Sequence, residues 1–200
     1  MNAEVDVELR EQIRKLCARY PSEYWQKCDR ARVYPEKFVQ ELTDAGYLAC
    51  LIPEQYGGAG LGIREAAVIL EEIHRSGGNA AACHAQMYTM GTLLRHGSPE
   101  QKERWLTGIA SGALRLQAFA VTEPDAGSDT ASISTFAERK GDRYIVNGKK
   151  IFISRMQHSD LMVLLARTTP RADVEKRTQG LSVFVVDLRD AGDSVHVQPG

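Results

Sequence analysis

The stretch that decides the fold is LRLQAFAV, at Leu114–Val121. Its residues form two alternating sets, Leu114, Leu116, Ala118 and Ala120 in one and Arg115, Gln117, Phe119 and Val121 in the other. A period of two is typical of a β-strand, whereas the residues before Gly112 repeat with the period of an α-helix. The sequence therefore predicts an α+β protein, with an all-α domain at residues 1–112 and a β-domain at residues 113–200.

The helical prediction for residues 1–112 rests on spacing and on helix-end signals. One amphipathic helix is indicated by Leu9, Ile13, Leu16, Cys17 and Tyr20. Pro35 and Gly46 bracket a second helix, and Ser98 with Gln101 three residues later forms a capping-box pattern at the start of another. A further helix is predicted to turn five residues inward: Ile63, Ala66, Ala67, Leu70 and Ile73.

The β-domain prediction rests on apolar runs separated by turn signals. DLMVLLAR at 160–167 and LSVFVVDL at 181–188 have strand length, and Gly141-Asp142 and Asn147-Gly148 break the segment before them. Asn-Gly is a strong hairpin signal, and about six strands so connected predict an antiparallel sheet or barrel. The final VHVQPG reads as a strand with nothing to cover its edge. We expect that the natural chain continues or that another surface closes the sheet.

Composition argues against several classes of partner and site. Lys plus Arg total 25 and Asp plus Glu total 26, so no strong charge directs the chain to nucleic acid or to an anionic membrane. No apolar run is long enough for membrane insertion, and the acidic N-terminus resembles no targeting peptide. The four cysteines lack CxxC spacing and the five histidines lack metal-ligand spacing, so neither disulfides nor a metal site is expected. The expected location is cytoplasmic, or the mitochondrial matrix for a eukaryotic source.

Two motifs resemble active-site sequences and receive a structural interpretation instead. YGGAGLG at 56–62 has neither a GK[ST] ending nor GxGxxG spacing, and it is predicted to be a flexible connector between helices. Ser128 lies in AGSD, without a GxSxG elbow and without an evident histidine partner. This context argues against a serine hydrolase.

Two segments share a chemistry, AFAVTEPDAGSDT at 118–130 and KKIFIS at 149–154. Each ends a predicted strand with a hydroxyl residue, Thr122 or Ser154. Each also places an aromatic ring nearby, from Phe119 or Phe152. Phe152 and Ser154 would face the same side of a strand. An aromatic wall beside hydroxyl donors suits a flat heteroaromatic ligand with polar edges, and a flavin is one such ligand.

The glycine and the backbone amides of the first segment extend this hypothesis. Gly127 permits close backbone approach, and successive N–H groups at 126–129 could hold a pyrophosphate. A plain surface turn accounts for the same Pro, Asp, Gly and Ser residues. Spacing alone therefore does not single out a flavin.

Six segments of the chain, in order, resemble the flavin-dependent acyl-CoA dehydrogenases. They are IPEQYGGAGLG, HGSPEQKERWLTGIASG, AFAVTEPDAGSD, GDRYIVNGKKIFIS, LMVLLART and GLSVFVVD. The most specific combination is VTEPDAGSD followed by NGKKIFIS. The resemblance implies a helical N-terminal domain, a middle β-domain that stops short in this sequence, and a C-terminal four-helix domain that this sequence lacks.

The resemblance also implies site residues. The FAD site would be lined by Phe119, Val121, Thr122, Gly127, Ser128, Phe152, Ile153 and Ser154. In that site Thr122 would donate to the pyrimidine edge of the flavin, Phe152 would pack on the rings, and Ser154 would bond near N5 or O4. Ser128 and Thr178 would contact the CoA thioester. Phe119, Phe152 and Ser154 stand where the family commonly has Tyr, Trp and Thr, which leaves the subfamily open.

The implied reaction removes two hydrogens across Cα–Cβ of an acyl-CoA. A carboxylate takes the α proton, the β hydride passes to flavin N5, and an electron-transfer flavoprotein receives the electrons. The base usually lies in the C-terminal domain, so no catalytic residue is assigned here, and Glu123 is interpreted as part of the cofactor loop. The family is usually homotetrameric or homodimeric. The alternatives are a flavin monooxygenase or oxidase on the same scaffold and a non-catalytic acyl-CoA or flavin-binding module.

Overall fold

The computed structural model describes residues 3–198, and the chain divides after Arg115 into two compact units. The first unit is helical and the second is built on a β-sheet. The predicted order of a helical part followed by a β part is therefore confirmed. Within the described residues, no helix combines the length and the apolar character needed to cross a bilayer.

Six α-helices form the first unit within its described residues, 3–115. They are α1 (Ala3–Cys17), α2 (Ser22–Ala31), α3 (Glu36–Asp44), α4 (Ile63–Arg75), α5 (Ala81–His96) and α6 (Pro99–Ala110). The predicted end of α3 and the predicted start of α6 are confirmed, and residues within one turn of each end determine them. Gly46 follows α3 with φ of 75°, a conformation that favours glycine. At the start of α6 the Gln101 amide donates to Ser98 Oγ at 3.2 Å, and the Ser98 amide donates to Gln101 Oε1 at 2.9 Å.

The inward face of α4 differs from the prediction. Ile63 is 78% exposed and Ala67 is exposed, whereas Glu65 and Glu72 are buried. The spacing of apolar residues did not predict this face correctly, because two glutamates of the helix are buried with specific hydrogen-bond partners. Glu65 Oε2 accepts the Gly62 amide at 2.9 Å and so caps the helix. Glu72 is held by arginines of α1.

The Glu72 carboxylate joins α4 to α1. Arg10 donates to it at 2.5 Å, and Arg14 donates through Nε at 2.7 Å and through a terminal nitrogen at 2.9 Å. Bonding from Arg14 outweighs the effect of burial and, together with Arg10, lowers the pKa of Glu72 to about 2. The buried charge is therefore compensated by two guanidinium groups.

The connector YGGAGLG packs closely on the chain that precedes it. A Cβ at Gly58 would lie 2.1 Å from the carbonyl oxygen of Ile52. The Gly60 amide donates to that same oxygen at 2.8 Å. The motif is thus a connector, as predicted, but Gly58 is required for close packing on Ile52, and Gly57 and Gly60 adopt positive φ of 85° and 61°.

Five strands form the sheet of the second unit within the described residues. They are β1 (Leu116–Ala120), β2 (Phe136–Lys140), β3 (Arg143–Asn147), β4 (Leu161–Arg167) and β5 (Leu181–Asp187). The strand β4 pairs in parallel with β1 and β2 and antiparallel with β5. The sheet is therefore mixed, and the prediction of a purely antiparallel sheet or barrel was wrong in this respect. Val195 to Gln198 are not in a strand, and the last two residues of VHVQPG lie outside the described residues.

The hairpin turn lies at Gly141-Asp142, not at Asn147-Gly148. Lys140 pairs with Arg143, and Gly141 has φ of 64°. Asn147 ends β3, and residues 148–153 form neither a turn nor a strand. Gly148 serves close packing here, because a Cβ at that position would lie 2.3 Å from Thr135 Oγ1 and 2.7 Å from its Cα.

Residues 148–154 do not form a strand, which corrects the sequence prediction for KKIFIS. Phe152 has φ of 59°, in the left-handed region that bulky residues rarely adopt. Phe152 and Ser154 therefore do not share one face of a strand, and that part of the prediction was wrong.

Candidate functional site

The two segments singled out in the sequence lie against each other. The Ile151 amide donates to the carbonyl oxygen of Thr122 at 2.9 Å, and Lys150 Nζ donates to the carbonyl oxygen of Val121 at 3.0 Å. These bonds join the two residues that directly follow β1 to the segment that carries Phe152. Two stretches about thirty residues apart in sequence thus form one continuous surface of the second unit.

Glu123 is the centre of this junction. Its side chain is 3% exposed, and its two carboxylate oxygens accept five hydrogen bonds. The donors are the Ser134 amide (2.7 Å), Ser134 Oγ (2.7 Å), the Thr135 amide (2.9 Å), Thr135 Oγ1 (2.5 Å) and Lys150 Nζ (2.9 Å). The carboxylate has little capacity left for a further ligand.

The pKa of Glu123 reflects these bonds. Burial acts to raise the pKa, but hydrogen bonds from Thr135, Ser134 and Lys150 outweigh it and lower the pKa to about 2. A carboxylate this acidic and this fully bonded is a poor proton acceptor at neutral pH. The geometry therefore supports a structural role for Glu123, in line with its interpretation as part of a cofactor loop.

Phe152 presents its ring to solvent. It is 87% exposed, and its backbone adopts φ of 59°. Exposing a phenylalanine and holding it in a sparsely populated backbone conformation are both unfavourable, and such outliers cluster at ligand sites. Phe119 on β1 is also exposed, at 40%. Two aromatic rings, one on each segment, are thus accessible to a ligand.

The polar loop after Glu123 begins with a hydrogen-bonded turn, and the residues after this turn are exposed to solvent. The Glu123 amide donates to the Ala126 carbonyl at 2.9 Å, and the Ala126 amide donates back at 3.3 Å. Gly127 and Ser128 follow, both exposed, and a Cβ at Gly127 would meet nothing within 4 Å. The backbone here is therefore held on one side and open on the other, as the approach of a phosphate group requires.

A cationic cavity lies next to this loop. It has a volume of about 430 Å³ and is lined by Ala131, Ser132, Ile133, Arg167, Arg171 and Arg177. Arg167 is 4% exposed and donates to the carbonyl oxygens of Ala131 (2.7 Å), Arg177 (3.0 Å) and Gln179 (3.2 Å). Arg177 also forms an ion pair with Asp129. The hydrogen bond from Ser132 Oγ, together with Arg177, lowers the pKa of the Asp129 carboxyl.

The comparisons with known proteins divide the chain in the same order. The profile of the acyl-CoA dehydrogenase N-terminal domain matches residues 4–113, and that of the middle domain matches residues 118–199. The chain belongs to the acyl-CoA dehydrogenase family. The resemblance inferred from the motifs is confirmed.

Individual relatives of this acyl-CoA dehydrogenase family member agree. It is 39% identical over 165 residues to the cyclohex-1-ene-1-carbonyl-CoA dehydrogenase of Geobacter metallireducens, covering 82% of this chain and 42% of the relative. It is 33% identical over 195 residues to the caffeyl-CoA reductase-Etf complex subunit CarC of Acetobacterium woodii, covering 94% and 50%. The crystal structure of an acyl-CoA dehydrogenase from Geobacillus kaustophilus has a TM-score of 0.84 and 31% identity, covering 94% and 49%. The chain thus spans half or less of the length of these relatives.

The residues predicted to contact the cofactor or the substrate in this acyl-CoA dehydrogenase family chain form three groups. Thr122 and Ile153 are half-buried, as is Val121, and they lie at the junction of the two segments. Phe119, Gly127, Ser128, Phe152 and Ser154 are exposed. Thr178 is also exposed and follows Arg177 of the cationic cavity directly in the chain. The assignments themselves stay predictions.

The sequence did not indicate the residues that support the candidate site through hydrogen bonds beneath its surface. Lys150, Ser134 and Thr135 hold Glu123, and Arg167 ties three backbone carbonyls together. One signal was available, because Lys150 is a charged residue directly before the apolar run Ile151–Ile153. For Arg167 there was none, since its acceptors are backbone atoms of two loops.

Proposed function

We propose that this chain is the N-terminal and middle part of an FAD-dependent acyl-CoA dehydrogenase. The full protein would convert an acyl-CoA thioester to the trans-2-enoyl-CoA. The single observation that carries the proposal is Phe152, an exposed aromatic in a strained backbone conformation, held beside Thr122 by the Ile151 amide. Membership of the acyl-CoA dehydrogenase family supports the assignment of the ligand as FAD.

The residues present fit an isoalloxazine ring and its pyrophosphate. Phe152 would offer an aromatic surface, and Thr122 and Ser154 would donate to the polar edges. The open backbone at Gly127 and Ser128 would receive the phosphates. When bound, FAD would supply a hydride acceptor at its N5 atom. The protein segments would orient the ring, shield one of its faces from water and place it beside the substrate.

The cationic cavity supports the CoA part of the proposal. CoA thioesters carry several phosphate groups, and guanidinium groups bind phosphate well because their donors match its oxygens. Arg171 and Arg177 are the exposed arginines of this cavity, between the loop that carries Ser128 and the loop that carries Thr178, and a phosphate would compete with Asp129 for Arg177. We propose that Ser128 and Thr178 contact the CoA thioester there. Acyl-pantetheine, which lacks the nucleotide phosphates, is expected to bind more weakly than the same acyl-CoA.

The base that removes the α proton is proposed to lie outside these 200 residues. Glu123 is the buried carboxylate of this junction, and its oxygens are already occupied by five donors. Electrons would leave through an electron-transfer flavoprotein. The printed name of the Acetobacterium woodii relative, a subunit of a reductase-Etf complex, supports a partner of this kind.

The same relative favours a second candidate function, reduction of an enoyl-CoA. The two functions use the same site and differ in the direction of electron flow. Under nitrogen, a dehydrogenase of full length should lose its oxidised flavin absorption when a saturated acyl-CoA is added. A reductase should instead keep its flavin largely oxidised in the presence of a saturated thioester, because its equilibrium favours reoxidation of the reduced flavin by an α,β-unsaturated thioester.

The decisive experiment is therefore an anaerobic absorption titration of the full-length protein with a panel of acyl-CoA and enoyl-CoA thioesters. Bleaching by at least one saturated thioester supports the dehydrogenase. A protein that binds no flavin after reconstitution with FAD contradicts both candidates. Rapid formation of a flavin–oxygen adduct on mixing the reduced protein with air would favour the oxidase or monooxygenase alternative.

Replacing Thr122 by alanine is expected to weaken FAD binding about fivefold or to shift the flavin potential, because one neutral hydrogen bond contributes about 1 kcal/mol. The measurement is a fluorescence titration of apoprotein with FAD, together with the reduction potential. Thr107→Ala on α6 serves as the control, since Thr107 is exposed and belongs to the first unit. Equal affinity and potential in the Thr122 variant and the parent would contradict the placement of Thr122.

Replacing Gly127 by alanine tests the proposed approach of the phosphates. The added methyl meets no protein atom within 4 Å, so the stability of the apoprotein should not change. If the pyrophosphate contacts this backbone, the methyl will obstruct it, and we expect FAD affinity to fall about tenfold, as for a lost charged hydrogen bond. Thermal unfolding of the apoprotein and an FAD titration give the two readouts. Unchanged affinity would mean that the ligand does not come this close.

A further inference from the structure

We propose that the buried Glu123–Lys150 ion pair is a positioning device that fixes the geometry of the flavin-facing surface, although neither residue touches the cofactor. The inference rests on the proposed FAD site. It assigns to Lys150, Ser134 and Thr135 a role in cofactor geometry that sequence reasoning did not give them.

The first step is the position of the pair between the two segments. Lys150 Nζ donates both to Glu123 Oε1 at 2.9 Å and to the Val121 carbonyl at 3.0 Å. One ammonium group therefore fixes the residue before Thr122 and the residue after it. Lys150 itself stands two residues before Phe152, so the same group limits the positions of both proposed contact residues.

The second step is the anchoring of the pair in the rest of the unit. Ser134 and Thr135, directly before β2, donate four hydrogen bonds to the Glu123 carboxylate. The Thr135 carbonyl in turn accepts the Arg167 amide at the end of β4 at 2.8 Å. The loop that carries Glu123 is thus hydrogen-bonded to the start of β2 and, through Thr135, to the end of β4. Hydrogen-bonded strands hold their positions better than a surface loop does.

The third step is the cost of such an arrangement. Burying a charged pair gives little net stability, because the loss of hydration offsets the attraction between the charges. The side chains of Lys150 and Glu123 are only 9% and 3% exposed. A polar pair in such a place instead selects one geometry, because only one arrangement satisfies all of its hydrogen bonds. Phe152 with its positive φ is the strained element that needs this support.

The test uses the full-length protein reconstituted with FAD, with Lys150→Met as the main variant and Lys140→Met as its matched control. Lys140 forms an exposed ion pair with Glu138 at 2.5 Å in the same unit, with side chains 55% and 54% exposed. We expect Lys150→Met to raise the Kd for FAD about tenfold, as for a lost charge-assisted hydrogen bond, and Lys140→Met to leave it unchanged.

A readout on the bound flavin separates positioning from simple loss of stability. At saturating FAD, Lys150→Met should show a higher fluorescence for each bound flavin and a shifted reduction potential, because Phe152 is no longer held against the ring. A variant that only lowered the folded fraction would bind less FAD, but its bound flavin would match that of the parent. Such a match would overturn the inference.

A double-mutant cycle adds a test of coupling. In Glu123→Gln, the NH2 group of the new amide would face the N–H and O–H donors that bond the carboxylate in the parent. This variant should therefore raise the Kd for FAD, as Lys150→Met does. Because the two residues form one unit, the double variant should be impaired much less than the product of the two single effects. Independent, multiplicative effects on Kd would contradict the proposal.

Two further outcomes are informative. If Lys150→Met fails to fold, Ser134→Ala decides the matter, since it removes a single 2.7 Å donor and should still raise the fluorescence of each bound flavin. A Ser134→Ala protein identical to the parent would then overturn the inference. If the parent protein itself binds no FAD, the proposed function fails, whereas a parent that binds FAD and variants that match it in every flavin property contradict the positioning role alone.

Discussion

Replacing Gly148 by alanine is expected to destabilise the protein by about 3 kcal/mol, at the upper end of the cost of overpacking. The new Cβ would lie 2.3 Å from Thr135 Oγ1, 2.6 Å from its Cβ and 2.7 Å from its Cα. Thr135 is 2% exposed and cannot simply rotate away, because both its amide and its hydroxyl bond Glu123. The displacement should therefore reach the carboxylate and the segment that carries Phe152.

The measurement is urea unfolding of the apoprotein combined with an FAD titration. Gly91→Ala is the matched control, because a Cβ at Gly91, in the middle of α5, meets nothing within 4 Å. Alanine there should stabilise the helix by up to about 1 kcal/mol and leave FAD binding unchanged. Gly148→Ala with parental stability and FAD affinity would show that the close approach of Gly148 to Thr135 is not required.

The second large effect is acid destabilisation of the first unit through Glu72. Its pKa is about 2 in the folded protein and 4.5 for an ordinary glutamate. A carboxyl with a depressed folded pKa stabilises the fold fully above its unfolded pKa, and this contribution is lost as the pH falls from about 4.5 towards 2. Each pKa unit corresponds to about 1.4 kcal/mol, and discounting for the partly exposed arginines gives about 2 kcal/mol.

Tryptophan fluorescence reports this effect specifically, since both tryptophans of the chain, Trp25 and Trp105, lie in the first unit. Urea unfolding at pH 7, 5 and 3.5, chosen to bracket the ordinary glutamate pKa of about 4.5, should show the parent losing part of this stability at the lowest pH. Glu72→Gln should be less stable at pH 7 and less sensitive to acid. Glu71→Gln is the control, because Glu71 is a 55% exposed neighbour that also bonds Arg10. Equal acid sensitivity in all three proteins would rule out Glu72 as the cause.

Family membership was readable from the sequence because it depends on short motifs whose residues are adjacent in the chain. The helix ends were predictable for a related reason. Ser98 and Gln101 cap α6 through contacts that span only three residues. The hairpin was placed wrongly because both Gly141-Asp142 and Asn147-Gly148 are turn sequences, and only the pairing of β2 with β3 decides between them.

The candidate site was predictable in part. Phe152 and Thr122 were identified by residue type and by resemblance, and the structure brings their segments together. The local conformation was not predictable, since φ of 59° at Phe152 contradicts the preference of a bulky residue. Conformations of this kind persist only where surrounding contacts impose them, and propensity cannot reveal such contacts.

The sequence by itself determined the order of helical and β parts, the ends of several helices and the chemical nature of the residues that we propose to face the ligand. These properties follow from spacing and side-chain type within a few residues. The tertiary structure alone decided that β4 pairs in parallel with β1, that Gly148 packs on Thr135, and that Glu123 meets Lys150. The physical reason is that these contacts join segments far apart in the chain, whose choice of partner depends on the burial and hydrogen bonding of the whole unit.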